Sequence, residues 1–511
     1  MMRRLAYAVL GSACMLAACT MGPDFQSPDQ PKERAYLADS QPSALVAAHI
    51  PGGEAQRIVE SLDIPGQWWT VFQSRPLNDM IGRSLAANPD IHAAQAALRA
   101  AQANARAQRA TLFPTVQAGF TSSQNQVSTV LSAPTSSGDF IYSLFTLGFT
   151  ISYTLDLFGA NRRAIESLEA LAEAQCFQVE AAYLSLASNV VVAAIQEASL
   201  RAQIDATQRI VAAQRETLDI LRRQEGLGAV TGADVAQQEA ALAQAQATLP
   251  PLQKALAQGR NLLITLTGQP PSVRLAEQFE LSDLTLPADL PLSLPSQLVE
   301  QRPDVRAAEA NLHSASALVG VATANQFPQI TLTAGIAPTA LGLDQLFVPG
   351  LLNSVASTSI LQTIVDGGAL AAKKRAAQAN LEQAAAQYRS VVLGAFRNVS
   401  DTLRALEYDA ITLQAAVTAE RASANSLNIA RRRLELGDTN YVVVLAAELT
   451  YRQALLNRVQ LQSARLTNTA ALFQSLGGGW WNRPDQSANP TQRMTCRPPR
   501  PAAPAVQAGR P

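Results

Sequence analysis

Charge and histidine are scarce in this 511-residue chain. Charged residues make up 16% of the sequence, whereas an average soluble domain has roughly 25%. The 40 basic residues balance the 40 acidic ones, so no partner selected by net charge, such as nucleic acid, is expected. The three histidines, His49, His92 and His313, have no Cys, Asp or Glu at metal-binding spacing, which predicts no metal site.

Catalytic motifs are also missing. The glycine-rich stretches, EGLGAVTG from Glu225 and GGG from Gly477, follow helical patterns and do not open a strand-to-helix unit, so they are typical of turns. No nucleophile stands in a recognisable sequence context. We therefore predict that the protein is not an enzyme and carries no cofactor.

Cysteine is rare, and one of the four cysteines ends an export signal. The basic start MMRR, the apolar run Leu5–Leu16 and the motif LAAC predict a secretory signal too short to span a bilayer. LAAC resembles the lipobox of bacterial lipoproteins, so we predict cleavage before Cys19 and acylation of Cys19, for example with palmitate. An ordinary signal with an incidental cysteine is the alternative. The residue after Cys19 is Thr20 and not aspartate. In such signals the absence of aspartate there favours the outer membrane. Only Cys176 and Cys496 remain, so no disulfide framework is expected.

Two segments of the sequence each occur a second time further along the chain. NPDIHAAQAALRAAQANARAQRATLFPTV from Asn88 aligns without a gap with RPDVRAAEANLHSASALVGVATANQFPQI from Arg302, and GAVTGADVAQQE from Gly228 matches GDTNYVVVLAAE from Gly437. One long unit used twice indicates an internal duplication and not a solenoid. The predicted domains are a signal peptide (1–18), an extended lipid-anchored segment (19–75), a first repeat (76–268), a linker (269–295), a second repeat (296–481) and a disordered tail (482–511).

Each repeat contains a pattern of alternating apolar and polar residues. FTLGFTISYTLDLFG, from Phe145, alternates for about the 9 to 11 residues that a tilted strand needs to cross a bilayer, although the edge of a soluble sandwich is an alternative. The matching segment 351–365 is rich in Ser and Thr, and its pattern does not fix a register. Two strands per repeat cannot close a barrel, because the smallest membrane barrels have about eight strands. With four strands per chain, the chain must therefore share its barrel with other copies, and three copies would supply twelve strands.

Very long helices follow the strands. Gly159–Leu227 and Gly368–Leu436 contain no proline, which predicts helices roughly 100 Å long that need partners along their length. The returning helices, about Asp234–Leu266 and Tyr441–Leu476, can supply an antiparallel coiled coil. The charge-free stretch Ala181–Gln196 could be mistaken for a membrane span, but its polar residues favour helix packing.

Several motifs together resemble one family. They are the lipobox followed by MGPDFQSP, the WW…F from Trp68, the paired NPDI…FP and RPDV…FP, LDLFG matched by IVDGG, and the closing LGGGW. From residue 19 to about residue 481 the chain is similar to the outer membrane factor family, and within it to the lipoproteins of tripartite efflux pumps, the OprM-like branch related to TolC.

The resemblance implies a mainly α-helical homotrimer, in which a long helical barrel in the periplasm is continuous with a twelve-stranded β-barrel in the outer membrane. It implies a passive duct for drugs or small solutes, working with a periplasmic adaptor (membrane fusion protein) and an inner-membrane pump of the RND type. A duct for type I protein secretion is an alternative with the same architecture. A lumenless, lipid-anchored, trimeric coiled-coil structural protein is a second alternative, but the polar strand faces favour a lumen.

The resemblance also implies a gate at the periplasmic end of the helices. In the family, carboxylates just past the helical turns form acidic rings near a constriction. Asp234 occupies this place in the first repeat, whereas Val443 and Ala446 stand at the matching acidic positions of the second. A solvated aspartate at a helix start is the alternative for Asp234. Val443 favours a largely apolar closure. The predicted turn and gate residues are Gly228, Thr231, Asp234, Gly437, Asn440, Val443 and Ala446.

Overall fold

The computed structural model describes residues 20–33, 35–39, 43–126 and 141–483. The predicted signal peptide, Cys19 and the tail beyond residue 483 lie outside these ranges. The chain forms two compact units, each built from three separate segments. Of the described residues, the sheet unit comprises those within 20–28, 97–126, 141–175 and 308–388, and the helical unit comprises those within 29–96, 176–307 and 389–483.

Helices dominate the described residues, and the two longest begin and end where the sequence predicts. The two proline-free runs form helices of 67 residues each. Pro89 and Pro303 open the helices that precede the strands, where a missing N–H has no cost. The α-helices are α1 (Arg75–Ala87), α2 (Pro89–Arg109), α3 (Ala160–Gly226), α4 (Gly232–Ala247), α5 (Leu249–Leu266), α6 (Pro295–Gln301), α7 (Pro303–Ala324), α8 (Ala369–Glu435) and α9 (Tyr441–Ser475).

The returning helix of the first repeat is broken, which corrects the prediction of one helix from Asp234 to Leu266. The chain forms α4 and α5, with Thr248 between them. The break lies at Pro250 and Pro251, because proline lacks an N–H and its ring collides with the carbonyl four residues earlier. The matching helix α9 contains no proline and runs unbroken for 35 residues.

Four antiparallel strands form the sheet of the sheet unit, in the order β3-β4-β6-β7. The pairs Ala118↔Phe149, Phe149↔Ile336 and Ile336↔Ser354 fix the register of the four strands. The last pair gives the register of the strand in segment 351–365, which the sequence pattern did not determine. The small sheet of the helical unit has the order β1-β2-β5 and joins the N-terminal segment to the linker. The strands are β1 (Ala44–Leu45), β2 (Gln56–Glu60), β3 (Thr115–Gln126), β4 (Ile141–Leu155), β5 (Asp289–Leu292), β6 (Gln329–Ala340) and β7 (Leu352–Leu361).

The four-stranded sheet has one apolar and one polar face. Phe120, Phe149 and Ile336 lie on the apolar face and are about half exposed in the single chain. On the polar face, the hydroxyls of Thr146 and Thr339 lie 3.4 Å apart, and a similar threonine pair stands nearer the other end of the strands. Within the described ranges, β3 pairs only with β4 and β7 only with β6, so both outer edges are free.

Helix α3 contains the most apolar stretch of the described residues. It is the one described helix long and apolar enough to cross a membrane, and half of its most apolar window is buried inside the protein. This burial is consistent with the predicted helix packing. Cys176, on the same helix, is buried and disulfide-bonded, a bond that the sequence analysis did not predict.

Candidate functional site

The turn that follows α3 is a Schellman motif. The N–H of Gly228 donates to the carbonyl of Glu225 at 2.8 Å, and the N–H of Ala229 donates to the carbonyl of Gln224 at 2.9 Å. Gly228 has a φ of +74°, in the left-handed region that glycine adopts without strain. The predicted turn glycine therefore ends the helix.

The turn that follows α8 repeats this geometry. Gly437 has a φ of +75° and donates to the carbonyl of Leu434 at 3.0 Å. The N–H of Asp438 donates to the carbonyl of Arg433 at 2.9 Å. The two side chains of Arg433 and Asp438 also form an ion pair of 2.9 Å, which has no counterpart among the bonds of the first turn.

Thr231 and Asp234 form a reciprocal capping box at the start of α4. The Asp234 carboxylate accepts hydrogen bonds from the Thr231 hydroxyl at 2.7 Å and from its backbone N–H at 3.0 Å. In return, the Thr231 hydroxyl oxygen accepts from the N–H of Asp234 at 3.3 Å. The side-chain bond first, and then the backbone bond, lower the pKa of Asp234. This aspartate is therefore an anion at neutral pH and also the cap of its helix.

The start of α9 is capped without a carboxylate. The side-chain oxygen of Asn440 accepts a hydrogen bond of 3.3 Å from the N–H of Val443. Val443 is 45% exposed and Ala446 is also exposed, and Val442 and Leu449 add to the same surface. The start of α9 therefore presents an apolar surface, whereas the start of α4 presents a carboxylate.

An apolar core packs the two hairpins together directly behind their turns. Residues of α3, α4, α8 and α9 contribute to it, so the seven predicted turn and gate residues lie at one end of the helical unit. The buried members are Val211, Leu218, Leu221, Val235, Leu242, Ala245, Leu427, Ala430, Tyr441 and Val444.

The sequence analysis missed a buried polar link within this core. The Tyr441 hydroxyl donates a short hydrogen bond to the side-chain oxygen of Gln238. The amide nitrogen of Gln238 donates to the backbone carbonyl of Gln214 at 2.7 Å. Gln238 is fully buried and Tyr441 nearly so. A signal was available in the sequence, because Gln238 interrupts an apolar stripe of α4.

Ligand-binding chemistry is sparse in the part of the chain that the structure describes. No group of three or more His, Cys, Asp or Glu side chains there could hold a metal ion. The two features that stand out among the described residues are the two-faced sheet and the paired hairpin turns.

Comparison with known proteins gives one consistent result. Residues 80–269 and 294–478 match the outer membrane efflux protein family. The chain is 29% identical over 480 residues to the toluene efflux pump outer membrane protein TtgC of Pseudomonas putida, covering 93% of this chain and 96% of that protein.

Solved structures agree. The outer-membrane channel OprN is 28% identical, with a TM-score of 0.80 over 90% of this chain and 100% of that one. The open state of the MtrE outer membrane channel of Neisseria gonorrhoeae is 27% identical, with a TM-score of 0.77 over 90% of this chain and 99% of that one. The chain therefore belongs to the outer membrane efflux protein family.

Proposed function

We propose that three copies of this outer membrane efflux protein form one passive duct that exports drugs or small solutes across the periplasm and the outer membrane. The duct works in a tripartite pump, in which an inner-membrane pump of the RND type supplies the energy and a periplasmic adaptor connects the two. The relative TtgC belongs to a toluene efflux pump, which supports a small apolar or amphiphilic cargo.

The observation that carries the trimer is the four-stranded sheet with two free edges. In lipid, an open edge leaves backbone N–H and C=O groups without partners, at a cost of several kcal/mol each. Joining β7 of one copy to β3 of the next removes every free edge when three copies close a twelve-stranded barrel. The half-exposed apolar face then meets lipid, and the threonine-rich face lines the lumen.

The lipid anchor on Cys19 is supported by the residues that follow it. The N–H of Met21 donates to the carbonyl of Phe158 at 3.0 Å, directly beyond the end of β4. Asp24 forms an ion pair of 2.5 Å with the buried Arg163. These contacts hold Met21 and Asp24 beside the end of β4 and the start of α3, which supports acyl chains on Cys19 entering the membrane that the proposed barrel spans.

The anchor has its own test. Mass spectrometry of the purified protein should find an acylated Cys19 as the first residue, and an unmodified Cys19 contradicts the lipobox. In addition, Cys19→Ala should still give folded trimers in the outer membrane, but fewer of them. The acyl chains mainly assist targeting, because a finished barrel stays in the membrane without them.

Planar bilayers test the duct itself. The reconstituted protein should conduct ions weakly, and a variant shortened at both hairpin tips should conduct strongly, because the predicted constriction lies there. Folded, membrane-inserted protein that conducts no ions even after the tips are removed would instead favour a structural protein without a lumen.

A further inference from the structure

A cavity of about 370 Å³ lies at the end of β4, within the sheet unit. The two FP corners of the duplicated sequence, at residues 113–114 and 327–328, border it on either side. Thr115, Ser152 and Thr154, which belong to the polar face of the sheet, also line it. The cavity is at the lower end of the size range of small-molecule pockets, and it adjoins the face that lines the lumen of the proposed duct.

Three side-chain amides at this cavity have no partners. Asn161, Asn325 and Gln329 line the cavity, and their amide groups form no hydrogen bond with other described residues. The one charged residue among the described lining residues is Asp156, which already caps α3 by accepting from the N–H groups of Asn161 at 3.1 Å and Arg162 at 2.9 Å. The cavity therefore offers neutral donors and acceptors, because each free amide has both.

An aromatic ring beside these amides is also free. The two repeats align Phe113 with Phe327. Phe327 stacks on Phe158 with the ring centroids 4.7 Å apart, whereas Phe113 is 68% exposed and has no ring partner in the described part of the chain. Phe113 lines the cavity. An open aromatic face next to neutral donors and acceptors suits a ligand that has both an apolar C–H face and hydroxyl groups.

We propose that Phe113, Asn161, Asn325 and Gln329 form a corner site that binds a neutral polyhydroxylated ring, as in a sugar or a glycosylated solute. The C–H groups of the ring pack on Phe113, and its hydroxyls exchange hydrogen bonds with the three amides. The proposal rests on the proposed function of the chain as a duct and adds one class of cargo to it. Binding is weak, with a Kd on the order of 1 mM, because a site inside a conduit must also release what it binds.

Calorimetry of the purified protein with maltose tests the corner site directly. The detergent must have no sugar head group, because such a head group would compete. Maltose should bind with a Kd of about 1 mM, whereas a polyethylene glycol of similar length, with ether oxygens in place of most hydroxyls, should not bind measurably. Phe113→Ala should weaken maltose binding about tenfold because it removes the aromatic face, and Asn325→Ala about fivefold because it removes hydrogen bonds.

Asn353→Ala is the matched control. Asn353 is also an exposed amide side chain of this sheet, and it pairs with Ala337, eight residues along β6 from Gln329. It therefore lies roughly 27 Å from the corner site, at about 3.4 Å per residue. This variant should bind maltose like the unsubstituted protein, and a loss of binding equal to that of Asn325→Ala would refute a specific site.

Failure of the corner site and failure of the duct give different results. In planar bilayers, maltose should reduce the current through the variant shortened at both hairpin tips, and Phe113→Ala should lessen this block. If the shortened variant conducts no ions, the duct has failed, and calorimetry alone decides about the corner site. Maltose binding that is absent, or unchanged in both Phe113→Ala and Asn325→Ala, overturns the proposal. If maltose does not bind and Phe113→Ala instead lowers the heat stability of the trimer, a neighbouring copy covers the ring and the proposal is equally overturned.

Discussion

The two hairpin turns share a backbone and differ in their side chains. Gly228 and Gly437 have φ angles of +74° and +75° and end their helices in the same hydrogen-bond pattern. Thr231 and Asp234 then cap the first returning helix with a carboxylate, whereas Asn440 caps the second without one. A backbone motif that needs only glycine can therefore be kept in both repeats, while the charge at the start of the two returning helices differs.

Giving the second turn the carboxylate of the first should have the largest effect. Val443→Asp doubles the number of acidic residues at the predicted constriction of a trimer. Like charges about 4 Å apart repel by about 1 kcal/mol in water and by about 4 kcal/mol near a protein surface. Single-channel conductance should therefore rise several-fold.

Val443→Asn is the neutral control for that substitution and should raise the conductance less. The reverse change, Asp234→Ala, should weaken cation preference and leave the conductance nearly unchanged. Recordings in which neither Val443→Asp nor Asp234→Ala alters conductance or ion selectivity would place the constriction elsewhere.

The shared backbone predicts an equal response in the two turns. Gly228→Val and Gly437→Val should each destabilise their hairpin tip by about 1–2 kcal/mol, the cost of left-handed φ for a residue with a side chain. An added Cβ meets nothing within 4 Å at either glycine, so backbone strain is the dominant cost. Hydrogen exchange of the flanking amides measures this. The asparagine variants should be milder, and a large difference between the two tips contradicts their equivalence.

The different caps predict a smaller and unequal response. Thr231→Ala removes one partner of a reciprocal box, and Asn440→Ala removes a single bond of 3.3 Å. Each should cost on the order of 1 kcal/mol, with the larger loss at Thr231. Local exchange at the first turns of α4 and α9 gives both values, and a larger loss at Asn440 would contradict the stronger cap at Thr231.

The smallest difference between the two turns should appear when the pH is lowered. Hydrogen bonds from Thr231 hold the pKa of Asp234 below its ordinary value of 3.8. The contribution of the carboxylate is therefore fully present at pH values above 3.8 and is lost as the pH falls through the lowered folded pKa. The protection of the amides of the first turn against hydrogen exchange, relative to those of the second turn, should fall only in that acidic range. Asp234→Asn should abolish this pH dependence, and its persistence in that variant would assign it to another group.

Features set by local chemistry could be predicted from the sequence. The absence of proline predicted α3 and α8, glycine predicted both turns, and the alternation from Phe145 predicted β4. The break at Thr248 could also have been predicted, because Pro250 and Pro251 stand just after it in the sequence and proline interrupts a helix. The prediction of a continuous helix gave these two prolines too little weight.

Features that depend on distant partners could not be predicted. The register of β7 follows from its pairing with β6, because its serines and threonines occupy both faces and give no alternation of their own. The bond between Tyr441 and Gln238 joins two hairpins, and helical spacing within either one carries no information about the other.

The central claim is that three chains share one barrel through the free edges of β3 and β7. Gln117 and Val355 lie at the same level across the sheet, through the pairs with Thr150 and Gly335. Three strand spacings of about 4.8 Å separate the two edges within one chain. Closure of a tilted barrel staggers neighbouring chains along their strands, so Gln117→Cys on β3 is combined in turn with a cysteine at each position of β7, Val355→Cys among them. A cross-linker of about 8 Å is too short to bridge the gap within one chain, so at the facing position it can join only different chains. We predict dimers and trimers and nothing larger on a denaturing gel of cross-linked membranes. Monomers alone, or a ladder that continues beyond three chains, would contradict the shared barrel.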